Sequence, residues 1–105
     1  MSIQNLLCIY ETRINTLFPG AVAARQSSHT VPLWATMEHL LWMIESSHTH
    51  IASGRTSKAF RWLGYLEGTL VSLGVMTVAE IQFLDIRSAI DTGKDEALGP
   101  WAALD

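Results

Sequence analysis

The stretch "FRWLGYLEGTLVSLGVMTVAE", residues 60–80, decides the fold. Its centre, "LGVMTVAE", is a stop signal followed at once by a start signal. Gly74 suits the left-handed position that closes a helix, with Val75 as the apolar residue that packs back on it. Thr77 and Glu80 then have the spacing of a capping box, in which each side chain satisfies the other residue's backbone N–H. The stretch predicts two consecutive helices in a hairpin. Before the turn, Trp62, Leu63, Leu66, Leu70 and Leu73, with Ala59 upstream, form one apolar stripe at helical spacing. Gly64, Gly68 and Val71 form a second stripe on the far side, with Arg61, Tyr65 and Ser72 beside it. Each glycine inside a helix costs about 1 kcal/mol relative to alanine. Neither is needed for a turn, since the apolar period runs through both.

Working outward, Ser2 caps a first helix whose stripe is Ile3, Leu6, Leu7, Tyr10, Ile14 and Leu17. Pro19-Gly20 ends it, and residues 19–30 lack periodicity and read as a connector. Pro32 sits in the first turn of a second helix, with Leu33, Met37, Leu40, Leu41 and Ile44 on one face. Trp42 points to the opposite side, and Met43 lies off the stripe. Gly54 in "SGRTS" is a further helix end, and Thr56 or Ser57 caps the third helix. The last helix carries Ala79, Phe83, Ile86 and Ile90 on one face, Ile81 and Leu84 on another. The expectation is an all-α single domain over 1–105, a compact bundle of about four helices near 3–18, 32–50, 57–73 and 78–91. The tail, 92–105, is expected to dock on the body through Trp101 and Leu104.

Composition narrows the function classes. The 105 residues are 49% hydrophobic and only 16% charged, and that charged share is well below the roughly 25% of an average domain. Few charges are therefore left to cover the outside. The formal charge of −3, with seven scattered Lys and Arg residues, makes no basic stripe and disfavours nucleic acid as a partner. Cys8, the only cysteine, excludes an intramolecular disulfide and reads as a small, semi-buried residue. No signal peptide and no apolar run of about 20 residues is visible, so no membrane association is expected and the cytoplasm is the expected location.

Chemistry-bearing patterns are absent. His29, His39, His48 and His50 lack the i, i+4 spacing that puts two rings on one helix face for zinc. Ser46 and Ser47 precede His48, but adjacency along a helix does not supply triad geometry. No nucleophile elbow, phosphate loop or dinucleotide fingerprint occurs. No catalytic residue, cofactor or metal is expected, and the chain is not read as an enzyme.

The richer signal is surface composition. Four tryptophans, Trp34, Trp42, Trp62 and Trp101, are a heavy load for this length. Trp62 reads as core, whereas Trp42 divides between core and interface. Trp, Tyr, Met and Arg are enriched in interface centres. A strip of small residues lets a second backbone approach closely, a device best known in membranes but geometrically valid in water. Helices two, three and four all show a second apolar side, more than one small bundle can cover. A homo-oligomer, most simply a two-fold dimer joined at Gly64, Gly68 and Val71, is the expected state.

"EHLLWMIE" and "SKAFRWLGYLEGTLVSLGVMTVAEIQ" also resemble an uncharacterised family of small tailed-phage and prophage proteins. Its pattern is an H-L-L-W-M segment followed by a K-A-x-R-W-L-G block. His39 to Met43 and Lys58 to Gln82 carry the resemblance. It implies the hairpin already read and a phage context, not a reaction. By analogy of class, such proteins bind and inhibit or redirect a host protein complex, as anti-CRISPR and other counter-defence inhibitors do. Glu38, Trp42, Glu45, Arg61 and Tyr65 are the expected partner-binding residues. Two alternatives stand beside this reading. One is sequestration of a small nucleotide signal at a subunit interface, with Arg55, Lys58 and Arg61 near the start of helix three. The other is a virion or assembly component.

Overall fold

The computed structural model describes residues 2–26 and 32–92 and is an all-α bundle of four helices. They are α1 (Ile3–Leu17), α2 (Leu33–Ala52), α3 (Thr56–Ser72) and α4 (Val78–Thr92). The expected docking of the tail through Trp101 and Leu104 falls outside the described residues, as does His29.

The ends of the helices follow from local chemistry. The Ser2 hydroxyl accepts from the Asn5 N–H at the start of α1. Gly54 and Gly74 take positive φ values, +82° and +73°. At each, the next N–H bonds a carbonyl five residues back while the glycine N–H closes the shorter loop. Arg55 N donates to His50 O and Gly54 N to Ile51 O; Val75 N donates to Leu70 O and Gly74 N to Val71 O. Both turns therefore satisfy carbonyls that a helix end leaves open. The capping box forms as its spacing predicts: Glu80 N donates to Thr77 Oγ1 at 3.1 Å, and Thr77 N donates to Glu80 Oε1 at 3.0 Å. Two expected caps differ. Pro32 lies just before α2 and not within its first turn, its ψ of 156° being extended. Arg55, not Thr56 or Ser57, holds the cap position of α3 and makes no side-chain capping bond.

α2 is the central element, packed against both α1 and α3. Its apolar residues on more than one side are thereby used within a single chain: Met37, Leu40, Leu41, Met43 and Ile44 are all buried. α1 contributes Leu6, Leu7, Tyr10 and Ile14, and α3 contributes Leu63, Leu66 and Leu70. Val75, Met76 and Ile81 close the core from the hairpin turn and α4. The stripe ends stay outside, with Leu17, Leu33 and Leu73 about half exposed. Cys8 is exposed rather than semi-buried, because α1 turns Leu7 and Tyr10 inward and leaves Cys8 off that face.

Two polar clusters pin the outer helices. Arg13 on α1 donates to Val75 O at 3.1 Å and to Glu80 Oε2 at 2.6 Å, tying α1 to the hairpin turn. Deeper in, the Tyr10 hydroxyl donates to Glu67 Oε2 at 2.6 Å. Glu67 and Asp85, from α3 and α4, are both buried and hydrogen-bonded to each other. Burial disfavours the charged form of both carboxyls and so raises their proton affinity, and Glu67 is pushed up to about 9. The pair thus holds a proton at neutral pH, which lets two acids share one buried site. Burial beside these acids likewise raises the Tyr10 hydroxyl.

These clusters give stability two pH limbs. Glu80 is held down to about 2, first by its hydrogen bond from Arg13. Its contribution is present above the ordinary carboxyl range and fades as pH falls toward 2. Glu67 has the opposite sign. Its folded form binds the extra proton, so its contribution is complete below about 4.5 and is lost as pH rises toward 9. His39 and His50, both held below their ordinary 6.5, add to the acid limb from that pH downward. Thermal unfolding of the wild-type chain should therefore show a falling limb on each side of neutrality, with Glu67→Gln flattening the alkaline limb and Glu80→Gln the part of the acid limb below the ordinary carboxyl range. Parallel profiles for all three proteins would refute the assignment.

Candidate interaction surface

α3 presents two unlike faces. Ala59, Leu63, Leu66, Glu67 and Leu70 are buried. Arg61, Gly64, Tyr65, Gly68 and Ser72 are exposed, and Tyr65 keeps 57% of its surface in solvent. A Cβ built on Gly64 or on Gly68 meets nothing within 4 Å. The glycines therefore serve no close packing inside the chain. Val71 is half-buried and packs against the core, so the smooth strip is flanked by one partly sheltered apolar residue. α4 shows a second outward apolar side. Phe83 is 67% exposed and Ala79 is exposed, while Ile81, Leu84 and Asp85 face inward. Of the three helices with two apolar sides in their sequence, α2 is covered by α1 and α3, while α3 and α4 keep an outward side.

The tryptophans form a ladder across α2 and α3. His39 stacks on Trp42 with centroids 5.5 Å apart and planes 25° apart. Trp42 lies 5.7 Å from Trp62, and the His50 ring meets Trp62 edge-on at 4.8 Å. The Arg25 guanidinium sits 5.6 Å from the Trp42 centroid and the Lys58 ammonium 5.3 Å from that of Trp62. Both indoles are half-buried at the edge of the core. This corrects the reading of Trp62 as plain core and decides Trp42: the two pack on each other. Trp34 is separate, meeting Phe18 edge-on at 5.6 Å where α1 ends and α2 begins.

The connector lies along this side of α2. Glu38 Oε2 accepts from Val22 N at 2.8 Å, and the Glu38 carbonyl accepts from Ala24 N at 3.0 Å. His39 Nδ1 accepts from Gln26 N at 3.0 Å, which places the neutral ring's proton on Nε2. Desolvation, then the charge of Arg25, holds His39 below its ordinary value. Desolvation, then Lys58 and Arg55, does the same for His50. His50 Nε2 is buried and, among the described residues, has no hydrogen-bond partner.

The expected partner-binding residues thus fall into two groups. Glu38 and Trp42 are engaged within the chain, by the connector and by the ladder. Arg61 and Tyr65 lie outside both, exposed and flanking the glycine strip on the same helix, and Glu45, also exposed, lines a cavity with Glu11, Asn15, Ala21 and Ala23 on the α1 side of α2. The structure adds Arg25 and His50 in the ladder and the buried Glu67 and Asp85, and it gives the stripe residue Tyr10 a polar role. Glu67 and Asp85 are far apart in sequence, and only the hairpin brings them together. Among the described residues no group of three or more His, Cys, Asp or Glu side chains is placed to hold a metal. Comparison of the chain with protein-family models, curated proteins and solved structures finds no match.

The open environment of the helical glycines has a measurable consequence. In urea unfolding at low protein concentration, Gly64→Ala and Gly68→Ala should each stabilise the single chain, by about 0.5–1 kcal/mol. Gly74→Ala should destabilise it, because its positive φ disfavours any Cβ. Loss of stability in Gly64→Ala would mean that the fold itself needs the glycine.

Proposed function

We propose that the chain is a non-catalytic protein-binding module of phage type that occupies a host protein complex in the host cytoplasm, in the manner of counter-defence proteins such as anti-CRISPR inhibitors. One observation carries this reading. α3 keeps two unstrained, solvent-open glycines on a face that also displays Arg61 and a largely exposed Tyr65. A helix that only had to fold would gain stability from alanine at both positions, and a docking face gives the glycines a use. In the proposed arrangement Gly64, Gly68 and Val71 form the seam of a two-fold dimer. Arg61 and Tyr65 lie at its rim, while Glu45 is set beside α1 and the connector, where it lines a cavity with Glu11, Asn15 and Ala23. Tyr and Arg are enriched among the residues that carry most of the energy of protein interfaces. No described helix is long and apolar enough to cross a membrane.

The test is affinity capture from host lysate with the wild-type chain and with Tyr65→Ala, both verified as folded. The wild type should retain one dominant protein. Tyr65→Ala should weaken that complex by about 2 kcal/mol, roughly 30-fold. Capture of nothing across several salt concentrations, or equal capture by both chains, would contradict the proposal. Co-purification with assembled particles would instead assign the chain to the virion.

A further inference from the structure

We infer that the ladder of His39, Trp42, Trp62 and His50, with Arg25 and Lys58 on its faces, is a binding site for a small nucleotide, a planar ring carrying phosphate. The inference is independent of the glycine face. The sequence has no basic stripe, yet the fold gathers Arg25, Arg55 and Lys58 around the two indoles. Arg25 lies over Trp42 and Lys58 over Trp62. Arg55 adjoins His50, to whose carbonyl its N–H donates at 2.7 Å. Among the described residues none of the three has a carboxylate partner, whereas Arg13 is paired with Glu80 at 2.6 Å. A chain of net charge −3 therefore keeps a local positive excess unneutralised beside stacked aromatic rings.

The chemistry of that pairing selects the ligand. The rings are held by contact with one another, so only the two cations on their faces need to move for a base to stack. Arg25 and Lys58 are long and flexible, and each can swing from an indole face to meet an anion. A base can then take the vacated face while the cation that left it pairs with phosphate, the combination by which aromatic and basic side chains together hold nucleotides. A cationic ligand would be repelled, and an uncharged ring would leave the cations unused. α3 begins beside the ladder with no side-chain cap, so its first N–H groups face outward to assist a phosphate. His50 Nε2 is buried and, among the described residues, has no hydrogen-bond partner, a polar atom left to be satisfied by a base edge or sugar admitted as the ladder opens.

The test is tryptophan fluorescence of the full chain titrated with AMP and GMP, and separately with adenosine, inorganic phosphate and a single-stranded oligonucleotide. Saturable quenching by a nucleotide is expected, at least tenfold tighter than by adenosine or phosphate alone. Lys58→Glu and Arg25→Glu, both surface changes that leave the core intact, should each weaken nucleotide binding at least tenfold with circular dichroism unchanged. Equal response to phosphate would show a bare anion site and overturn the inference. Binding to the oligonucleotide alone would reassign the ladder to nucleic acid and also overturn it. No quenching by either nucleotide, or quenching untouched by both variants, would reject it outright.

Discussion

The hydrogen bond from Tyr10 to Glu67, 2.6 Å long and buried, fixes how α3 is turned about its own axis. Leu66 and Leu70 alone would tolerate some rotation, since apolar contact is non-directional. A carboxyl in the interior does not tolerate it, because an unpaired buried acid costs more than most single contacts supply. With Glu67 pointed at Tyr10 and Asp85, and Leu63, Leu66 and Leu70 on the core beside it, the far side of the helix is the one that carries Arg61, Tyr65 and Gly68, with Gly64 at its margin, and all four are exposed. The interior acid pair and the outward glycine strip are two consequences of one orientation.

Much of the fold is legible in residue spacing because the governing interactions are local. The Gly74 turn and the Thr77–Glu80 box depend on atoms within six residues of one another, and both form as the sequence predicts. The α3 cap differs by one or two residues, since Arg55 occupies a position where Thr56 offers the better hydroxyl. Non-local pairings are not legible. Glu67 falls on the apolar stripe, four residues after Leu63 and three before Leu70, but its partner Asp85 belongs to another helix, and Tyr10 looks like one more apolar stripe member. Trp42 is ambiguous in sequence for the same reason: its partner Trp62 belongs to another helix, and period alone does not say which sides of two helices meet.

The double-faced helices do carry an excess of apolar surface, but the excess is smaller than their sequence suggests. α2 absorbs its own by packing against both α1 and α3. The remainder is the smooth side of α3 and the Phe83 side of α4, the first of which carries the proposed contact. This division matters for function. The aromatic ladder is internally packed and edged with cations, which suits a small charged ring. The α3 strip is flat and lacks large side chains except Tyr65 and Arg61 at its edge, which suits another protein surface.

The central claim is that Gly64 and Gly68 are kept open for a second chain. Sedimentation equilibrium of the wild-type protein over a wide concentration range, beside Gly68→Leu, tests it most directly. Leucine is a better helix former than glycine and meets open space here, so the variant should fold yet fail to associate. The account predicts a mass rising from one chain, 11.6 kDa, to two for the wild type, with Gly68→Leu remaining at one. A single-chain mass for both at every concentration, or an unimpaired dimer in the variant, would contradict it.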